Sequence, residues 1–231
     1  MIRSFLRTAL VAIPFTFPAL AFGDEPGFFP LFNGVDLTGW RYDKEALHRA
    51  TETADRRLSV KDGVIVLAAK DKDGKKDVRE LITVREFAKD FILKLEFKAA
   101  QEATGAVTIR KAVIPIADFM RRSEQRQLKK FQTDSWNELE VVVKMAAYAE
   151  GRRLTDSDAL EASFANGKAT TRVNGRTVDP NRTVIQMDAY PKINGEPLTP
   201  YPVAAATTGQ VGLRSASGKI EFRNIRFKEL P

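Results

Sequence analysis

Strict two-residue alternation is the feature that most limits what this chain can become. Phe91, Leu93, Leu95 and Phe97 fall on one side of an extended backbone, with Lys94 and Glu96 on the other. Successive side chains of a strand point to opposite faces, so the stretch reads as a half-buried antiparallel strand. The rhythm returns with Val107 and Ile109 against Thr108 and Arg110, and again with Leu139, Val141 and Val143. Turn signals punctuate it: Lys61-Asp62-Gly63, Asn174-Gly175 and Ser217-Gly218 each join two such runs. Many short alternating strands with little helix predict an all-β domain, a sandwich or a barrel.

Three segments depart from the alternation. Residues 114–131 place Ile116, Phe119, Met120, Leu128 and Phe131 among charges at nearly helical spacing, which predicts a short helical insertion. Residues 145–164 are Ala-rich and polar and read as a short helix or an inserted loop. Residues 187–208 hold Pro191, Pro197, Pro200, Pro202 and Gly195 and predict a long loop, a length that usually signals function or disorder. No internal repeat or linker divides the chain, so residues 24–231 are expected to form one domain.

The N-terminus carries a different pattern. Arg3 and Arg7 precede an apolar run over residues 9–22, no acidic residue occurs before Asp24, and Ala19-Leu20-Ala21 supplies small residues for cleavage. Residues 1–21 therefore read as a secretory signal peptide, with cleavage as late as residue 23 as the variant. Pro14 and Pro18 interrupt the run, which is short of the roughly 20 apolar residues that span a bilayer. The expectation is a periplasmic or secreted domain with no stable membrane span after cleavage.

The chain has no cysteine, which removes disulfides, thiolate ligands and a Cys nucleophile. His48 is the one histidine, so a His-rich zinc or iron site is excluded, and a Ser-His-Asp triad would have to use it without a nucleophile-elbow motif. Asp71-Lys72-Asp73-Gly74-Lys75-Lys76-Asp77 has the wrong spacing for a calcium loop, and its three lysines repel a cation. No cofactor is required by the sequence, and a divalent metal is left open without a ligand set behind it. The formal charge is +7, and Arg121, Arg122, Arg126, Lys129 and Lys130 cluster. Without interleaved aromatics they read as a solvated helix face, and no nucleic-acid partner is expected.

Several stretches, taken in order, resemble the 3-keto-disaccharide hydrolase domain family, whose members are exported concanavalin A-like jelly-roll domains. Leu31-Phe32-Asn33-Gly34 through Gly39-Trp40 is similar to the family's "L-F-N-G-x-D-L-x-G-W" opening. The hairpin around Asp62-Gly63 resembles "W-x-V-x-D-G-x-L", with Leu58 in place of tryptophan. Glu86-Phe87 through Phe97, Trp136-Asn137 through Val143, and Thr208-Gly209-Gln210-Val211-Gly212-Leu213 followed by Ile220-Glu221-Phe222-Arg223-Asn224-Ile225 continue the match. The resemblance implies a jelly-roll β-sandwich whose last strand returns beside the first, with Phe32 and Trp40 as buried anchors. It also implies cleavage of 3-keto-glycosides. The family's "G-Y-E-x-Q-I" strand, whose Glu faces the sugar, has no counterpart here: Ile114-Pro115-Ile116-Ala117-Asp118 stands in its place. The family's "Q-x-H-G" reads Arg214-Ser215-Ala216-Ser217-Gly218.

A ketone at C3 of a sugar acidifies the proton at C2, so elimination needs a base, a donor for the enolate oxygen and an acid for the leaving group. Asp118 is a candidate base by its nearness to the absent Glu, and Glu80 faces it from the preceding strand. Glu138 and Glu140 are a second candidate pair, because residues two apart share a strand face about 6.5–7 Å apart at Cα; they also fit a solvated outer face. Arg110 matches the family's strand-end arginine and Arg214 its "Q-x-H-G" position, and both are candidates to hold substrate oxygens. Trp136, Tyr190 and Tyr201 are candidate stacking rings for a sugar. The functional expectation is an exported carbohydrate-active domain that hydrolyses 3-keto-glycosides. A non-catalytic carbohydrate-binding module and a cell-envelope interaction domain are its alternatives.

Overall fold

The computed structural model describes residues 25–68, 70, 73–74, 78–117, 128–155, 157–165, 167–203 and 208–231. The signal-like segment, Asp118, the arginines of the basic cluster and most of residues 71–77 lie outside them. In chain order the strands are β1 (Phe29–Pro30), β2 (Trp40–Tyr42), β3 (Glu45–Leu47), β4 (Leu58–Lys61), β5 (Val64–Leu67), β6 (Arg79–Thr83) and β7 (Phe91–Ala99). They continue with β8 (Thr104–Ile109), β9 (Ala112–Ala117), β10 (Asn137–Ala149), β11 (Arg152–Arg153), β12 (Leu160–Ala165) and β13 (Lys168–Val173). The last are β14 (Arg176–Val178), β15 (Thr183–Ile193), β16 (Glu196–Pro197), β17 (Tyr201–Val203), β18 (Val211–Ser217) and β19 (Ile220–Glu229).

Two large sheets form a jelly-roll sandwich. One runs β16-β15-β10-β7-β19-β5-β4, with β1, β11 and β17 added along it; the other runs β3-β2-β6-β18-β8-β9. β12, β13 and β14 make a small separate sheet. The alternation dictates the packing. β7 buries every second residue, and Phe91, Leu93, Leu95 and Phe97 meet Leu81, Val107, Ile109 and Leu213 of the facing sheet in a single core. Asp62-Gly63 and Asn174-Gly175 take left-handed φ at both turn positions (51° and 76°, 51° and 77°), the geometry that matches strand twist in a two-residue hairpin. β1 pairs with β19, so the closing strand does return beside the opening one. Trp40 is fully buried and its indole N–H donates to the Leu31 carbonyl at 3.0 Å, which anchors the N-terminal motif.

Where they are described, the three departures from alternation differ from expectation. No α-helix occurs among the described residues, whose one helical turn is the 3-10 turn Pro180–Arg182. Residues 112–117 form β9, and residues 118–127, the middle of the expected helical insertion, lie outside the described residues. Ile114 and Ile116 are two apart, so both enter the core once β9 pairs with β8. Residues 145–165 are strand for most of their length: β10 continues to Ala149, turns at Glu150-Gly151 into β11, and β12 follows. The Pro-rich stretch is also largely strand. Pro191 lies in β15 between the segments that pair with β16 and β17, where its missing N–H removes no ladder bond.

Candidate functional site

The pleat of the six-stranded sheet sends one set of side chains inward to the core and the other to its outer side. On β6, Leu81 and Thr83 are buried inward, so Glu80 and Ile82 point outward. On β18, Val211, Leu213 and Ser215 are inward, leaving Gly212 and Arg214 outside; on β8, Val107 and Ile109 leave Thr108 outside. Register then fixes the neighbours. Arg214 lies opposite Glu80 on one side and Ala106 on the other, and Gly212 lies between Ile82 and Thr108.

Gly212 is the centre of this arrangement. A Cβ there would collide with the ends of both the Glu80 and Thr108 side chains. Its absence lets the two meet across β18, where the Thr108 hydroxyl donates to Glu80 Oε1. Loop residues complete a cavity of about 370 Å³, among them Glu86, Lys111 and Gln210. Gln210 is held by Arg41, whose Nη2 donates to its Oε1 at 3.2 Å. The Arg214 side chain is half-buried and makes no hydrogen bond or ion pair with the described residues, nor do the exposed side chains of Glu86 and Lys111. The cavity thus combines a carboxylate fixed by a hydroxyl with an uncommitted guanidinium, the pairing required to move a proton and steady a developing oxyanion.

Arg110 lines the same cavity, at the tip of the β8–β9 hairpin. It and Lys111 both hold left-handed φ, 50° and 74°, as the two central residues of this two-residue hairpin turn. Arg110 does not turn outward with Thr108 as its parity predicts: the guanidinium is buried, Nη2 donates to the Lys89 carbonyl at 2.7 Å, and the group sits 5.6 Å from the centre of the buried Phe91 ring. Nε and Nη1 have no hydrogen-bond partner. Burial lowers the pKa of this guanidinium below its ordinary value, against an opposing pull from Asp90. Among the described residues, no group of three His, Asp or Glu side chains is arranged to hold a metal ion.

Residues 27–228 match the model of the 3-keto-alpha-glucoside-1,2-lyase-like domain. The chain belongs to this family. Among solved structures, a Parabacteroides distasonis protein provisionally assigned as a glycosyl hydrolase matches with 15% identity and a TM-score of 0.50, covering 89% of this chain and 94% of that one. A second such protein from the same organism has 16% identity and a TM-score of 0.45, covering 88% and 99%. A Bacillus licheniformis β-glucanase has 12% identity and a TM-score of 0.41, covering 89% and 100%. At such identities, the first match speaks to the fold alone. No curated protein sequence matches.

Within this member of the 1,2-lyase-like family, the sequence-predicted site residues divide between the two layers. Glu80, Arg110 and Arg214 come together at the cavity. Asp118 lies outside the described residues. Glu138, Glu140, Trp136 and Tyr190 belong to the ten-stranded sheet or its edge, on the opposite side of the sandwich. Glu138 and Glu140 do share an outer face, but Glu140 is paired with Lys192 at 3.1 Å and Lys94 at 3.5 Å. Trp136 is capped by Arg223, 4.0 Å from its ring, and Arg223 is itself held by Glu96 at 2.7 Å. Tyr190 donates to the buried Asp188 at 3.1 Å beside Tyr148, which donates at 2.6 Å. Burial, then the Asp188 charge, push the Tyr190 phenol up to about 12. Tyr201 lies on β17 and packs partly buried against the core.

Sequence reading missed Thr108, Gly212, Glu86, Lys111 and Gln210. Thr108 was legible as an outward residue from its parity with Val107 and Ile109. Its meeting with Glu80, 28 residues away, was not, because only the insertion of β18 between β6 and β8 brings the two together.

Proposed function

We propose that this domain is exported and cleaves 3-keto-glycosides at the Glu80–Thr108–Arg214 cavity by elimination across C1 and C2. The observation that carries the reading is the Glu80 carboxylate fixed by Thr108 opposite the unpartnered Arg214, in a chain of a lyase-like family. Glu80 takes the proton from C2, and the electron pair passes to the C3 oxygen as an enolate that Arg214 stabilises. The enolate collapses to restore the ketone, forms the C1–C2 double bond and breaks the bond from C1 to the glycosidic oxygen. The departing oxygen takes a proton from the Lys111 ammonium at the rim. Addition of water, hydroxyl to C1 and proton to C2, then gives the 3-keto-sugar and completes a net hydrolysis. A glycosidase of the two-carboxylate kind would instead need carboxyls about 5–5.5 or 6.5–9.5 Å apart flanking the bond.

The purified domain, incubated with a 3-keto-disaccharide, is expected to release free sugar, seen by chromatography. Glu80→Gln is expected to lower kcat by about 10²–10⁴. Absence of turnover, or a Glu80→Gln variant with unchanged kinetics, would overturn the assignment. Export is tested by N-terminal sequencing of protein recovered outside the cytoplasm, with Phe22 or Asp24 expected first.

Binding without turnover is a second reading, favoured by β9. It presents Val113 and Pro115 outward, on the strand where the family pattern places a sugar-facing Glu. Saturable binding of a glycan with no product would select it.

A further inference from the structure

The polar cavity continues into a second one of about 320 Å³, and the two share Arg214 and Val113. The chemistry changes across that boundary. On one side lie Glu80, Glu86, Thr108, Lys111 and Gln210. On the other, Ala106, Val113, Pro115 and Ala216 supply methyl and methylene surface, with Thr104 as the hydroxyl-bearing side chain. This lining follows from register. Ala106 faces Pro115 across β8 and β9, and Val113 faces Thr108, so every outward position of β9 in this region is apolar. Val113 is 43% exposed, an apolar side chain left open to solvent beside a polar cavity. Small residues at 106 and 216 leave the depth; the ring of Pro115 and the branched Val113 form the walls.

We propose that this second cavity holds the leaving group of the substrate and selects an apolar one, an alicyclic or aromatic aglycone in preference to a second sugar. The proposal rests on the reading of the first cavity as the place of elimination. Arg214 then stands at the junction, at the C3 oxygen of the keto-sugar, and the aglycone extends from C1 over Val113 toward Pro115 and Ala216. A sugar in that position would have its hydroxyls stripped of water against a surface that returns few hydrogen bonds. An apolar ring loses nothing there and removes apolar area from water.

The test compares 3-keto-glucosides of cyclohexanol and methanol, whose leaving oxygens are both alkoxides, with a 3-keto-disaccharide. The cyclohexyl compound is expected to exceed both others in kcat/KM by about tenfold or more, the discrimination an apolar pocket supplies. Ala216→Asp and Val113→Asp each place a carboxylate in the second cavity and are expected to bring the cyclohexyl-to-methyl ratio toward one. Turnover with no cyclohexyl preference, or with a preference both variants leave intact, would overturn the aglycone site and leave the catalytic reading standing. If no 3-keto-glycoside is turned over, the catalytic reading fails by itself. The apolar site is then judged by calorimetry with phenyl glucoside: binding weakened by Ala216→Asp supports it, and binding that is absent or unaffected refutes it.

Discussion

Replacing Gly212 by alanine separates the site from the fold with a single methyl group. The added Cβ would overlap Glu80 Oε1 and Thr108 Oγ1, both ends of rotatable side chains and neither part of the backbone. The sheet therefore has no reason to move, whereas the Glu80–Thr108 contact has to break. Losing a hydrogen bond to a charged group costs about 1.5–3 kcal/mol. Relief of glycine's unfolded-state entropy returns about 0.4–1 kcal/mol. The difference, a destabilisation of about 1–2 kcal/mol, corresponds to roughly 2–8 °C in Tm for a domain of this size. Activity is the more sensitive readout. Moving a catalytic group by about 1 Å costs on the order of 10² in rate, so kcat/KM toward a 3-keto-glycoside is expected to drop about a hundredfold in a protein that still unfolds cooperatively. Thr108→Val, which removes the donor without adding volume at 212, is expected to move in the same direction. Wild-type kcat/KM in Gly212→Ala would refute the role given to Glu80. A variant that fails to fold would refute the claim that only side chains yield.

Glu138→Gln and Glu140→Gln are expected to leave turnover within about twofold, since both lie across the sandwich from the cavity and surface charge changes are usually small in effect; a large loss in either would relocate the site. Tyr190 gives a pH prediction. Its proton is held more tightly folded than unfolded, so its contribution is complete below about pH 10 and is lost as pH rises toward 12. Denaturant titrations across that window are expected to lose about 1–2 kcal/mol after allowance for partial exposure, and Tyr190→Phe is expected to flatten the loss; an unchanged profile in the variant would contradict it. Trp40→Ala removes a fully buried indole that also ties down Leu31, with an expected cost of about 3–5 kcal/mol; a change under 1 kcal/mol in the urea midpoint would show that the N-terminal motif is not an anchor.

The fold was legible where local chemistry and periodicity agreed. β7 repeated its alternation without error, Asp62-Gly63 and Asn174-Gly175 made the hairpins their φ preferences demand, and the opening and closing motifs pointed to paired terminal strands. It was misread where two periods fit the same residues. Ile114 and Ile116 fit a helix as well as a strand, and only pairing with β8 decides between them. Proline misled similarly at Pro191, because a sequence does not show which edge of a strand is left unpaired.

Side-chain parity is a property of a few consecutive residues, so this chain's sequence alone determined which positions turn outward, Glu80, Thr108 and Arg214 among them. Which outward residues become neighbours depends on strand order, and strand order is chosen by how two sheets bury their apolar faces against each other. That long-range choice placed β18 between β6 and β8 and laid a glycine beneath a carboxylate and a hydroxyl. It also put Glu138 and Glu140, two carboxylates on one face of their strand, on the opposite side of the molecule.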